Sequence, residues 1–290
     1  MIHHVKHGSA AIPGGDYRPP RPGRLVVPWA LHPKATRGAA IVPSDLTPFV
    51  PCIYDQGQIG ECSACGTAGG IQTSLKRAGV PLPGILAPLP IYRATRALER
   101  GADHPDGTLP PLADTGAMPD DAFHAINWFG GQTTQDECGE VGPSSTLTAY
   151  EEAHCNDEPT IDEFEHSARF KVAGAYDIVS TGDQRANDVA GALAAGFDVG
   201  GSVYAADDRF QSYVGGVMPP APAGAMCDHW VHIVGCFIDA KGQPIFVWAN
   251  SWGLGWGTSY GALPGGCFLT TSAQVIDADC LIVYSVAVQS

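Results

Sequence analysis

Gln56-Gly57-Gln58-Ile59-Gly60-Glu61-Cys62-Ser63-Ala64-Cys65 is the stretch whose reading decides the fold. Gly57 and Gly60 give the backbone freedom for a tight turn. From Cys62 onward, Cys62, Cys65, Ala68 and Gly69 recur at helical spacing, so the stretch reads as a glycine-rich turn running into a helix. A thiol in the first turn of a helix lies near unsatisfied N–H groups and the positive end of the dipole, which predicts a lowered pKa and a reactive thiolate. The alternative is a buried structural cysteine. Cys62-Ser63-Ala64-Cys65 also has the C-x-x-C spacing of a redox motif, but no second such pair exists in the chain.

Two later stretches bear on that choice. They are Cys227-Asp228-His229-Trp230-Val231-His232-Ile233-Val234-Gly235 and Phe246-Val247-Trp248-Ala249-Asn250-Ser251-Trp252-Gly253-Leu254-Gly255-Trp256-Gly257. A nucleophilic thiolate needs an imidazole beside it, both as cation and as proton donor to a leaving amine. A side-chain amide can hold that ring in place.

With these residues in view, the chain resembles the papain family of cysteine peptidases, in a bacterial form. The family's Q-G-x-x-G-x-C pattern is met by Gln56 and Cys62. Its D-H-A-V-x-x-V-G resembles Asp228–Gly235, with Trp230 replacing a small residue. Its N-S-W-G-x-x-W-G is met by Asn250–Gly257 at every fixed position. In the family the histidine and asparagine follow the cysteine by roughly 130–150 residues; here the separations are 167 and 188, which implies extra loop length. Asp208–Val217 resembles the family's F-x-x-Y-x-G-G-I segment, and Asp114–Met118 its N-G-G wall.

The resemblance implies an α+β, papain-like two-lobed fold. A helical lobe (about 54–140) and an antiparallel β-rich lobe (about 141–290) would flank a cleft. It implies a cysteine-type peptidase in which Cys62 attacks, His229 transfers protons, Asn250 orients His229 and Gln56 stabilises an oxyanion. Gly116, Met118, Cys227 and Trp252 are the implied substrate-binding residues: Gly116 pairs with substrate main chain, Met118 and Cys227 line a side-chain pocket, and Trp252 shields the His229–Asn250 bond. No cofactor or metal is implied. Two alternatives remain open: a thiol-dependent transamidase, and an inactive peptide-binding homologue.

The departures are specific. Ser63 stands where the family usually has Trp. Glu61 places a charge beside the nucleophile, which predicts a tempered thiolate. The family's first disulfide position falls on Ile59, and its partner position near Ala113 also lacks Cys.

Nine cysteines are many for a reducing compartment, and eight could pair if Cys62 is unpaired. Apolar content of 44% supports a sizeable core. No apolar run approaches a membrane span. Met1–His7 lacks an apolar signal core, so a cytoplasmic location or a non-classical export route is expected. A net charge of −14 argues against nucleic acid as substrate, because phosphates would be repelled. The expected partners are a peptide or protein substrate and the chain's own N-terminal segment, in a monomer.

That segment, residues 1–40, differs from the rest. It carries +5 against −19 for the remainder, and six prolines forbid a long helix. It reads as a prosegment-like strap held by charge and by Leu25, Val26, Val27 and Trp29. It either inhibits intramolecularly, braces the fold, or forms a solvated tail with His3, His4 and His7.

Helices are expected at Cys62–Ala78, Pro90–Arg100, Asp120–Phe129 and Val189–Ala195. Strands are expected at Val42–Ile53, Asp198–Tyr204, Trp230–Phe237 and Ile245–Ala249. The polar stretch 141–170 reads as a connection between lobes. Asp103–Gly107 reads as a surface turn. On a strand, His232 would point away from His229 and reads as a packed structural histidine.

Overall fold

The computed structural model describes residues 27–35, 41–81, 84–104, 106–139, 142–167 and 174–285. Its central element is helix α1 (Cys62–Arg77), buried from Cys62 through Leu75. Lys76 and Arg77 in its last turn suit the negative end of the helix dipole. Interior helical glycines each cost about 1 kcal/mol relative to Ala. Gly66 and Gly70 show what that expense permits: a Cβ on Gly66 would lie 2.7 Å from the Trp230 ring, and one on Gly70 would lie 2.5 Å from the Tyr284 ring. The helix is thus stripped of side chains where the sheet's aromatic residues reach it.

Around α1 pack α2 (Pro88–Asp103) and α3 (Pro119–Phe129), both starting on a proline. Proline at the first helical position lacks only an N–H that would be unpaired anyway, so these helices begin earlier than their apolar periodicity predicts. The polar stretch after residue 140 is itself helical. It forms α5 (Ser145–His154), capped by Ser144, and α6 (Ile161–Ser167), after the short α4 (Thr134–Cys138) with its Thr133 capping box. Tyr150 and Cys155 of this stretch pack into the helical core with Tyr54, Ile71, Leu89 and Phe123.

The second half of the chain builds the sheet: β2 (Gly174–Asp177), β3 (Val199–Val203), β4 (Val217–Met218), β5 (His229–Ile238), β6 (Pro244–Ala249), β7 (Thr258–Tyr260), β8 (Leu263–Thr271) and β9 (Leu281–Ser285). The order is β2-β9-β3-β5-β6-β8-β4, antiparallel throughout except for β4 on β8. A two-residue β1 (Ser44–Asp45) adds to β5, and β7 adds to β8. The expected strand Val42–Ile53 is reduced to β1 and a single turn at Thr47–Phe49. Pro48 and Pro51 have no N–H to offer a ladder. α7 (Gly182–Ala194) is longer than its apolar residues predict; it covers the far face of the sheet with α9 (Ser272–Asp277), and α8 (Asp208–Gln211) is a single turn.

Trp29 belongs to this β-lobe core. It is 1% exposed and meets Phe197 and Tyr176 edge-on, and His32 stacks on it at 4.6 Å. Asp177 N–H donates to Val27 C=O at 2.9 Å. The remainder of the expected strap, including Leu25, Val26 and the three N-terminal histidines, lies outside the described residues. No helix among the described residues is long and apolar enough to cross a membrane.

Candidate active site

Antiparallel pairing of β5 with β6 sets His232 opposite Ala249. The start of one strand and the end of the other therefore meet, bringing His229 and Asn250 together. His229 Nε2 donates to Asn250 Oδ1 at 2.7 Å. The Ser251 N–H donates to the same oxygen at 2.8 Å, which fixes which end of the amide faces the ring. Nδ1 is left as the nitrogen available for a thiol proton. Trp252 lies over the imidazole at 5.2 Å, in an aromatic group with Phe210 and Trp256, and keeps solvent from the bond.

The glycine-rich turn is stitched to this end of the sheet. Gln56 N–H donates to Ser251 C=O at 2.9 Å, Ser251 Oγ donates to Gln56 Oε1 at 2.5 Å, and Gly253 N–H donates to Tyr54 C=O at 2.8 Å. Gln56 Nε2 donates one proton to Ile59 C=O at 2.8 Å; its amide carries a second. Cys62 follows at the first position of α1, where the backbone N–H groups of Trp230 and Ser63 favour its thiolate. An open pocket of about 380 Å³ brings Cys62 and His229 together with Met118 and Cys227.

A sequence model of the papain family of cysteine proteases matches residues 113–263, a span that holds His229 and Asn250. The chain belongs to the papain family.

No curated protein sequence matches it. Many solved structures share its fold. Procathepsin L 3 from the larval midgut of Tenebrio molitor aligns with a TM-score of 0.68 and 20% identity, over 96% of this chain and 77% of that one. Xylellain, a cysteine protease from Xylella fastidiosa, aligns with a TM-score of 0.62 and 22% identity, over 91% and 96%. The bromelain protease of Ananas comosus, in complex with the E64 inhibitor, aligns with a TM-score of 0.57 and 16% identity, over 84% and 99%. At these identities the likeness carries the fold, and the α+β papain-like architecture stands. With its family, the chain is a cysteine-type peptidase, a hydrolase.

The electrostatics of this papain-family site differ from the sequence expectation. Burial pushes the Cys62 thiol up to about 11, outweighing the N–H groups of Trp230 and Ser63. Burial also lowers His229 to about 4, against the opposing pull of Asn250. Each group alone thus favours its neutral form.

Glu61 is corrected as well. It is fully buried, and burial, reinforced by Glu151, holds its carboxyl well above the usual range. Its Oε1 accepts from the Cys65 thiol at 3.6 Å. The fold thus disfavours the charge that the sequence places beside the nucleophile.

The implied substrate residues divide. Met118 and Cys227 line the pocket. Met118 is held by its N–H, which donates to Glu99 Oε1 at 2.7 Å. Gly116 does not present its N–H to the cleft. That group donates to the Tyr92 hydroxyl at 3.1 Å, and a Cβ on Gly60 would lie 2.9 Å from the Gly116 nitrogen. Gly116 therefore packs the wall against the active-site turn, and Ala117 lines the pocket beside it. The sequence reading missed Ala117, Pro119, Ser202 and Cys280 of that lining. The last two come from β3 and the start of β9, whose pairing carries no local motif.

No disulfide joins any of the nine cysteines. Among the described residues no group of three or more His, Cys, Asp or Glu side chains is arranged to hold a metal ion.

Proposed function

We propose that this peptidase hydrolyses peptide bonds through an acyl-enzyme on Cys62. As substrate enters, His229 Nδ1 takes the thiol proton and the sulfur attacks the scissile carbonyl. The Gln56 side-chain amide and the Cys62 backbone N–H receive the developing oxyanion. His229 returns the proton to the leaving amine, then activates water to release the acyl group. Asn250 orients the ring throughout. The observation that carries this reading is the His229–Asn250 bond, fixed by Ser251 and facing a pocket shared with Cys62. Met118, Ala117 and Cys227 form the wall that receives a substrate side chain.

An epoxide or iodoacetamide probe is expected to label Cys62 stoichiometrically and abolish hydrolysis in proportion. Full activity after complete labelling of Cys62 would end the proposal. Adding an amine acceptor separates hydrolysis from acyl transfer: products that carry the amine in preference to water would favour the transamidase reading.

The N-terminal segment is proposed as an intramolecular inhibitor with a built-in brace. Residues near Trp29 are anchored in the β-lobe core, and the 26 residues before Val27 reach up to about 85 Å when extended, ample to cross the cleft. The tether gives them a high effective concentration. Proforms occur among solved structures of this fold, in procathepsin L 3 and in the ragweed pollen allergen Amb a 11. Deleting residues 1–26 is expected to raise kcat/KM for a small peptide without loss of stability. Deletion through residue 38 also removes Trp29, and emptying such a site costs about 3–5 kcal/mol. Unchanged activity after the shorter deletion would leave only the brace.

A further inference from the structure

The substrate pocket carries two thiols besides Cys62, and one hydroxyl lines it with them. Cys227 precedes β5, and Cys280 precedes β9. Ser202 of β3 lies between. Its N–H donates to Cys280 C=O at 3.1 Å and its Oγ accepts from the Cys280 N–H at 2.9 Å. The Cys227 side chain lines the same pocket as Ser202. Across the same junction, the Cys227 N–H donates to Asp279 Oδ2 at 3.2 Å. That bond holds residue 227 against the 279–280 turn. Cys227 is buried and Cys280 partly exposed to the pocket. Arg185 lies near both cysteines and Asp279; burial pushes the Cys227 thiol up to about 11, so the less buried Cys280 is the thiol placed to react first.

We infer that Cys227 and Cys280 are a reversible oxidation site that closes the substrate pocket when a hydroperoxide converts the two thiols to a disulfide. The Cys280 thiolate attacks one oxygen of the peroxide. The O–O bond breaks, and the departing hydroxide takes a proton and leaves as water. Cys227 then attacks the sulfenic sulfur, the S–O bond breaks, and a second water leaves. In balance, two thiols and one hydrogen peroxide give one disulfide and two waters. A disulfide requires Cα atoms within about 7 Å, so closure draws the two walls together across Ser202. The side-chain space fills with sulfur while Cys62 stays open to a small reagent. A dithiol reverses the step.

The regulatory consequence rests on the reading of this pocket as the substrate pocket; the crosslink itself does not. The test therefore has two arms. In the first, full-length Cys62→Ser protein is treated with hydrogen peroxide and mapped by mass spectrometry. A Cys227–Cys280 crosslinked peptide that dithiothreitol removes is the expected result. Its absence, or crosslinks confined to other cysteines, overturns the proposal. In the second, wild type is oxidised mildly and assayed. The expected result is a loss of about tenfold or more in kcat/KM for a substrate with a bulky pocket side chain, with the rate of Cys62 alkylation by iodoacetamide nearly unchanged. Cys280→Ser and, separately, Cys227→Ser should keep their activity under the same treatment. If both lose it as wild type does, the pair is not the switch. A crosslink in the first arm without loss in the second keeps the oxidation site and removes its control of the pocket.

Discussion

His229 and His232 stand three residues apart on β5, on opposite faces of the sheet, and are 8% and 4% exposed. Their surroundings differ in one respect that decides their use. His229 meets an amide, Asn250. His232 meets a carboxylate, Asp198 Oδ2, at 3.0 Å, and its ring abuts Gly69 of α1. An amide orients a ring without fixing its charge, which suits the proton exchange proposed for His229. A carboxylate holds the ring by a hydrogen bond at Nδ1 and anchors it. Asp198 N–H also accepts no freedom of its own: it donates to Ser74 Oγ of α1 at 3.2 Å. One face of the strand carries the ring proposed to move a proton; the other holds the helical lobe on the sheet.

Substitution should separate the two roles. His229→Ala is expected to lower kcat on the order of 10⁴-fold, with Asn250→Ala clearly milder because Asn250 orients and transfers no proton. Equal losses from the two would contradict that division. The same variant reports on stability. Folded His229 takes its proton near pH 4 and the unfolded chain near 6.5, so unfolding takes up a proton between these values. Stability therefore falls as pH drops from about 6.5 to 4, by about 3 kcal/mol in all. His229→Ala should flatten that part of the curve in denaturant titrations.

Asp198→Asn tests the other face. Weakening a buried hydrogen bond costs about 1–3 kcal/mol, so the midpoint of urea unfolding should fall while kcat at a permissive temperature stays near wild type. A large loss of kcat with unchanged stability would make His232 part of the chemistry.

The smallest effect belongs to Glu61→Gln. Burial already disfavours the charged form of Glu61, so the amide should move the pH profile of Cys62 alkylation little. The acid keeps its proton in the fold to higher pH than in the unfolded chain. Its stabilising contribution is thus present below about pH 4.5 and lost as pH rises through its folded pKa. The Gln variant should therefore gain stability relative to wild type at alkaline pH. An alkylation profile that shifts downward would restore Glu61 as a charge beside the nucleophile.

These contrasts show what the sequence made legible. α1, its glycines, and the Cys62, His229, Asn250 and Gln56 set are spelled out by local motifs, and the first expectations match the elements that carry them. The opposite faces of His229 and His232 followed from strand alternation alone. What escaped was tertiary. Glu61 reads as a charge until burial against Glu151 is known. Ser202 and Cys280 reach the pocket only through the register of β3 with β9. The helices after residue 140 lack a strong apolar stripe, and their caps become visible only in place.

The account rests on Cys62 as the nucleophile, and peptide hydrolysis by Cys62→Ala tests it most directly. With the unfolding midpoint of the wild type retained, the variant should show no turnover above the uncatalysed rate. Measurable turnover by a folded Cys62→Ala protein would contradict the account.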